Sequence, residues 1–169
     1  MDDISHELSI SKKTLYVHFD SKNDLIGQTV EYIFRVHFMK IDRILEKEIS
    51  PLEKIILIYR YGINQLITYD PVFYAELKKY HQVTHDCYEH NRKKIVFDII
   101  LGLLEKAQKV NEVRSDVNLK LFCELHLYKI DLILAEPDFN QQYSTQQMLN
   151  HLIVFNLRGI LVDPNQVSL

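Results

Sequence analysis

Apolar residues recur along most of the chain at spacings of three and four, the period of a helix with one buried face. Ile4 and Leu8 share a face of a first short segment, Ile10 follows in a turn, and Leu15 and Phe19 share a face of a second. Later segments are denser. Ile55, Ile56, Leu57 and Ile58 lead into Ile63, Leu66 and Ile67, and the run from Ile95 to Leu104 is apolar except for Asp98 and Gly102. A helix apolar on most faces is central or lies at a subunit interface. Two further segments carry cleaner stripes: Leu119, Phe122, His126, Ile130 and Ile133, then Leu149, Leu152, Ile153, Ile160 and Leu161.

Capping signals divide these patterns. Ser11 and Ser21 stand where N-caps belong, with Asp24 three positions after Ser21. Ser50-Pro51-Leu52-Glu53 joins an N-cap to a first-turn proline and a glutamate that can reach back, Asp70-Pro71 repeats the cap and proline, and Ser144 with Gln147 spaces a capping box. The spacing predicts eight helices, at 2–8, 12–18, 22–48, 51–68, 71–78, 80–109, 118–135 and 145–161. Only four glycines and four prolines punctuate 169 residues, with no Asn-Gly or Asp-Gly hairpin pair, so an all-α fold is expected. The same scarcity excludes phosphate-cradling and dinucleotide-binding loops.

Charge and cysteines narrow the picture further. A net charge of −3 gives no global basic footprint, so a nucleic-acid role must rest on a local motif. Cys87 and Cys123 lie far apart without metal-type spacing, which suits a reducing compartment. The acidic start MDDISHEL is no signal peptide and no apolar run reaches membrane-spanning length, so a cytoplasmic protein with no membrane partner is expected. Nucleophile motifs and paired carboxylates in a recognisable context are missing, so no enzyme is expected and no cofactor is assigned.

The candidate chemistry lies at the front. Two short helices joined by a tight turn form a helix-turn-helix, whose second helix can enter the major groove of double-stranded DNA. Its outward residues include Lys12, Lys13, Thr14, Tyr16 and His18, and Lys22 opens the next helix, where backbone N–H groups favour a phosphate. Residues 1–25 carry three lysines against five acids, so charge alone does not make the case. The pattern does. Ile4, Ile10, Ser11, Leu15, Tyr16, His18, Phe19, Ser21, Lys22 and Leu25, and above all the run SKKTLYVHFDSK, resemble the tetracycline-repressor (TetR/AcrR) family of transcription regulators. Ser5 and Ser9 stand where that family has Ala and Gly, and Ser9 lacks the freedom that a left-handed turn favours.

The resemblance implies a further helix ahead of Met1 that covers the head. Without it Ile4, Leu8, Leu15 and Phe19 are expected to be poorly covered. It also implies a homodimeric repressor with residues 1–22 as a partial DNA-reading domain and 23–169 as an effector-sensing and dimerisation domain. Lys12, Lys13, Thr14 and His18 would lie nearest the bases, with Tyr16 and Lys22 on phosphates. Tyr59, Phe73, Tyr88, Phe97 and Phe122 are candidates to line a pocket for a small-molecule effector. Phe122, His126, Ile130, Leu152, Ile153 and Ile160 are candidates for the dimer contact. A helical dimer that has lost DNA binding and serves as a ligand-binding or interaction module is the alternative. His81, His85 and Glu89 recur every four residues, which fits a metal triad or, equally, a solvated helix face; with no fourth ligand evident, no metal is assigned.

Overall fold

The computed structural model describes residues 1–68, 71–135 and 142–163, and among them the chain forms eight helices and no strand. Helix α1 (Asp2–Glu7) and α2 (Lys12–His18) make the head. Helix α3 (Lys22–Leu45) runs about 36 Å at 1.5 Å per residue and joins head to body. The body contains α4 (Pro51–Thr68), α5 (Pro71–Tyr80), α6 (82–109), α7 (Leu119–Ala135) and α8 (145–158). The all-α expectation holds. Predicted bounds shift by a few residues: α3 stops at Leu45, and α8 stops before Gly159 because Val113 and Leu161 pair as an isolated bridge. Asp70 lies outside the described residues.

The caps act as their spacing predicts. The Ser11 hydroxyl accepts from the Thr14 N–H at 3.0 Å, and Ser21 accepts from the Asp24 N–H at 3.1 Å. Ser50 and Glu53 exchange bonds in both directions, as do Ser144 and Gln147. Each capped end satisfies backbone donors that would otherwise depend on water.

Two apolar cores hold the body. The larger gathers Ile41 and Ile44 of α3 with α4, α6, α7 and α8, and Ile55, Leu104 and Ala107 at its centre are fully buried. The smaller packs Val30 and Phe34 of α3 on Leu77 of α5, with Phe73 and Tyr88 against them. Helix α3 therefore enters both cores, while its first turn carries the end of the head. Two helices change pitch midway: α6 is π-helical over Ile95–Ile100 and α8 over Asn150–Val154. Such widened turns occur mostly at functional positions.

Candidate functional site

The head is a tight helical hairpin. Ser9 takes φ 53°, the left-handed conformation for which glycine is favoured, and the Ile10 N–H returns to the Ser5 carbonyl at 3.0 Å. Ser5 is buried and its hydroxyl donates to the Asp2 carbonyl, so serine is accommodated at that close contact. Lys12 is ion-paired to Asp2 across the hairpin, and Thr14 spends its hydroxyl within 2.8 Å of Ser11. Lys13, Tyr16, His18 and Lys22 are exposed beside them. Leu15 is buried, but Leu8 is 58% and Val17 73% exposed, so apolar cover over the head is thin. Of six predicted DNA-facing side chains, then, four point outward unencumbered by a printed ion pair or cap, while Lys12 and Thr14 also serve the hairpin.

A cavity of about 150 Å³ opens among α3, α4, α6, α7 and α8. Phe34, His37 and Ile41 supply the α3 wall, at positions separated by three and four residues. Ile95 and Val96 come from the π-helical turn of α6, and Leu152 and Ile153 from that of α8. Both pitch changes thus border the same space. The His37 Nδ1 and Tyr61 hydroxyl pair at 2.7 Å in this lining, and burial lowers the His37 pKa.

Arg92 forms the charged corner. Its guanidinium donates to Glu89 at 2.7 Å and to Asp131 at 2.8 Å, and the Tyr74 hydroxyl donates to the same Glu89 oxygen at 3.1 Å. Burial opposes its charge, yet Tyr88, Glu89 and Asp131 outweigh that effect and hold the pKa above its usual value. Burial and then Glu89 drive the Tyr74 phenol up in turn.

His126 borders the cavity and is 5% exposed. Its ring meets Tyr59 edge-on at 4.5 Å, and its Nε2 is buried with no hydrogen-bond partner. Burial, with Lys129 and Arg92 adding to it, pushes its pKa down from 6.5 to about 4. The unfolded imidazole titrates near 6.5 while the folded one stays neutral to about pH 4, so acid favours the unfolded chain. The contribution is complete above pH 6.5 and is lost as pH falls from there to about 4. Urea unfolding at pH 5 should show about 2 kcal/mol less stability than at pH 8 from this group. His126→Phe should flatten that part of the profile; an unchanged slope would show that His126 is not its source.

Of the predicted pocket residues, Tyr59 and Tyr88 line the cavity and Phe122 borders a smaller one of about 10 Å³ beside it. Phe73 packs in the smaller core and Phe97 against the larger, and neither reaches the lining. Phe34, His37, Tyr61 and Arg92 escaped the sequence reading. The α3 residues carried a readable signal, since Phe34, His37 and Ile41 repeat with helical period.

The predicted dimer residues need correction. His126, Ile153 and Ile160 are buried in the chain's own core, and Ile130 and Leu152 line its cavity. The outward face of α7 is a second apolar stripe, Leu121, Leu125, Tyr128 and Leu132. Both stripes have helical period, and packing assigned the first to the core. The metal triad is not assembled either: Glu89 is committed to Arg92 and Tyr74, and among the described residues no group of three His, Cys, Asp or Glu side chains could hold an ion. No described helix is long and apolar enough to cross a membrane.

Comparison with known proteins adds the class to which such an arrangement is similar. The chain is 28% identical, over 96% of its length and 86% of the relative's, to YvaF of Bacillus subtilis strain 168, described as a helix-turn-helix-type transcriptional regulator. The fold is that of the transcriptional regulator FadR from Bacillus subtilis, solved with stearoyl-CoA, at TM-score 0.75 and 18% identity over 94% of this chain and 87% of that one. A candidate fatty acid metabolism regulator of Clostridium perfringens superposes at TM-score 0.66, with 18% identity over 96% and 89% of the two chains. No family model matches. These findings correct the TetR/AcrR label: the similar proteins are described as helix-turn-helix-type and FadR regulators, and no family model supports the narrower name. The physical reason is that SKKTLYVHFDSK spells a cap, a short recognition helix and a second cap, which is what a helix-turn-helix needs in general. The similar proteins are regulators rather than enzymes.

Proposed function

We propose that the chain is a DNA-binding transcriptional regulator, acting as a repressor, whose helix-turn-helix head is controlled by a small molecule in the body cavity. The carrying observation is the course of α3: its first turn follows the recognition helix, and Phe34, His37 and Ile41 further along form a wall of the cavity. A ligand that enters displaces that wall, and a stiff helix carries the displacement to the head. Residues 1–22 read the operator and 23–169 sense and dimerise. The likeness to YvaF and to FadR, whose printed ligand is stearoyl-CoA, supports the reading.

The dimer is built by a second copy of this chain on the outward face of α7, with α8 beside it. Leu121, Leu125, Tyr128 and Leu132 follow one another at four, three and four residues, the spacing of a helix–helix seam. Lys129 donates to Asn156 at 2.9 Å, tying α8 and its exposed Phe155 to the same flank. Isologous pairing of such a face gives the two-fold symmetry that sets two recognition helices about one DNA turn apart.

Fluorescence anisotropy on duplex from the gene's own upstream region tests the DNA reading. Salt-sensitive, sequence-selective binding is expected. Lys13→Ala with Tyr16→Ala should weaken it about tenfold, at about 1 kcal/mol or less per contact, and reduce the salt dependence. Binding that ignores both substitutions would refute the assignment of α2, and no binding at all in an intact dimer would favour the interaction module.

A further inference from the structure

Resting on the reading of the cavity as the effector site, we infer that its effector is a compact, uncharged, mainly apolar molecule bearing one hydrogen-bonding group, which pairs with His126 Nε2.

Size comes first. A cavity of about 150 Å³ equals the engineered cavity known to take benzene. A ring of that size fills it; a long acyl thioester would have to extend far beyond it.

Charge comes second. Among the described residues Arg92 is the one formally charged side chain in the lining, and its guanidinium is already divided between Glu89 and Asp131. One cation against two carboxylates leaves that corner net negative. An anionic ligand gains no free partner there and meets repulsion. A cation entering the cavity finds apolar walls, because Glu89 and Asp131 do not reach the lining. Either ion would give up its hydration without compensation.

The third observation is polar. His37 and Tyr61, also in the lining, are paired with each other, whereas His126 Nε2 is buried without a partner. The small cavity next to His126, at about 10 Å³, is at the lower limit for a single water, which also needs several polar neighbours. Its surroundings are Ile55, Ile100, Leu104 and similar groups, so water does not relieve the imidazole. The main cavity is the space from which a partner can come, and a small movement of the ring against Tyr59 brings Nε2 to it. A neutral imidazole can accept from a hydroxyl or donate to a carbonyl, so a phenol, alcohol or amide meets the requirement.

The test is isothermal titration of the full chain at pH 7.5 with p-cresol, toluene, benzoate and stearoyl-CoA. p-Cresol should bind about tenfold or more tightly than toluene, the worth of one buried hydrogen bond, and than benzoate. In His126→Phe, with folding checked by circular dichroism, the margin of p-cresol over toluene should disappear while toluene still binds. His126→Gln keeps a hydrogen-bonding group and should keep part of the margin. Tighter binding of benzoate or stearoyl-CoA, a margin that survives His126→Phe, or no saturation by any small probe would each overturn the inference. Operator anisotropy on the same preparation separates the two claims. Intact DNA binding with failed probes removes this inference alone; failed DNA binding with the cresol margin intact removes the regulator reading and leaves the chemistry of the cavity.

Discussion

Replacing Leu125 and Leu132 together by glutamate should turn the protein into a monomer and lower its affinity for a two-half-site operator by about 100-fold or more. The magnitude follows from linkage: the second recognition helix of a dimer binds at an effective concentration that raises overall affinity about 10²- to 10⁴-fold. Leu132 is 70% exposed and Leu125 53%, so glutamate there does not disturb the chain's own core. Urea midpoints should stay within about 0.5 kcal/mol once dimerisation is taken into account. The contrast is Ile160→Asp, at a position buried between α8 and the rest of the larger core, which should unfold the chain rather than separate two copies. Light scattering at several concentrations reports the mass, and anisotropy reports the operator. A dimer that persists through both substitutions would place the interface elsewhere.

Arg92→Ala should cost about 3 kcal/mol of stability, the low end for removing one member of a buried ion pair. Arg92 is 11% exposed and links α6 to α7 through Asp131, while Glu89 holds it on its own helix and receives Tyr74 from α5. Its removal leaves Glu89, largely shielded, with a phenol as its remaining partner. Asp131 is nearly half exposed and regains water, which keeps the cost from the top of the range. Arg92→Met with Glu89→Gln should recover a good part of the loss, because it removes the stranded charge as well as the partner. Chemical denaturation of both variants decides the matter: a cost below about 1 kcal/mol would mean that the network acts as a surface pair.

The same two residues show where reading a sequence succeeds and where it stops. Asp131 lies on α7 beside the stripes considered for a dimer contact, and nothing local pairs it with Arg92, 39 positions earlier. Tyr59 and Tyr88 could be proposed for a pocket from residue type, yet Phe73 and Phe97 have the same aromatic character and pack in the cores instead. The metal triad failed similarly. His81 ends up at the N-cap of α6, and Glu89 turns to Arg92.

Helix starts, by contrast, were legible because a serine cap and the donor it satisfies lie within three residues. Ser11, Ser21, Ser50 and Ser144 bound helices where their spacing placed them, and the helical period of the apolar residues determined the all-α class and the hairpin of the head. Those are local properties, set by neighbours one or two turns away. Tertiary packing decided which of two apolar stripes on α7 faced inward, where His126 was buried without a partner, and which five helices left a cavity between them. Each depends on the shape of surfaces brought together from distant parts of the chain, and period alone does not distinguish a core face from an interface.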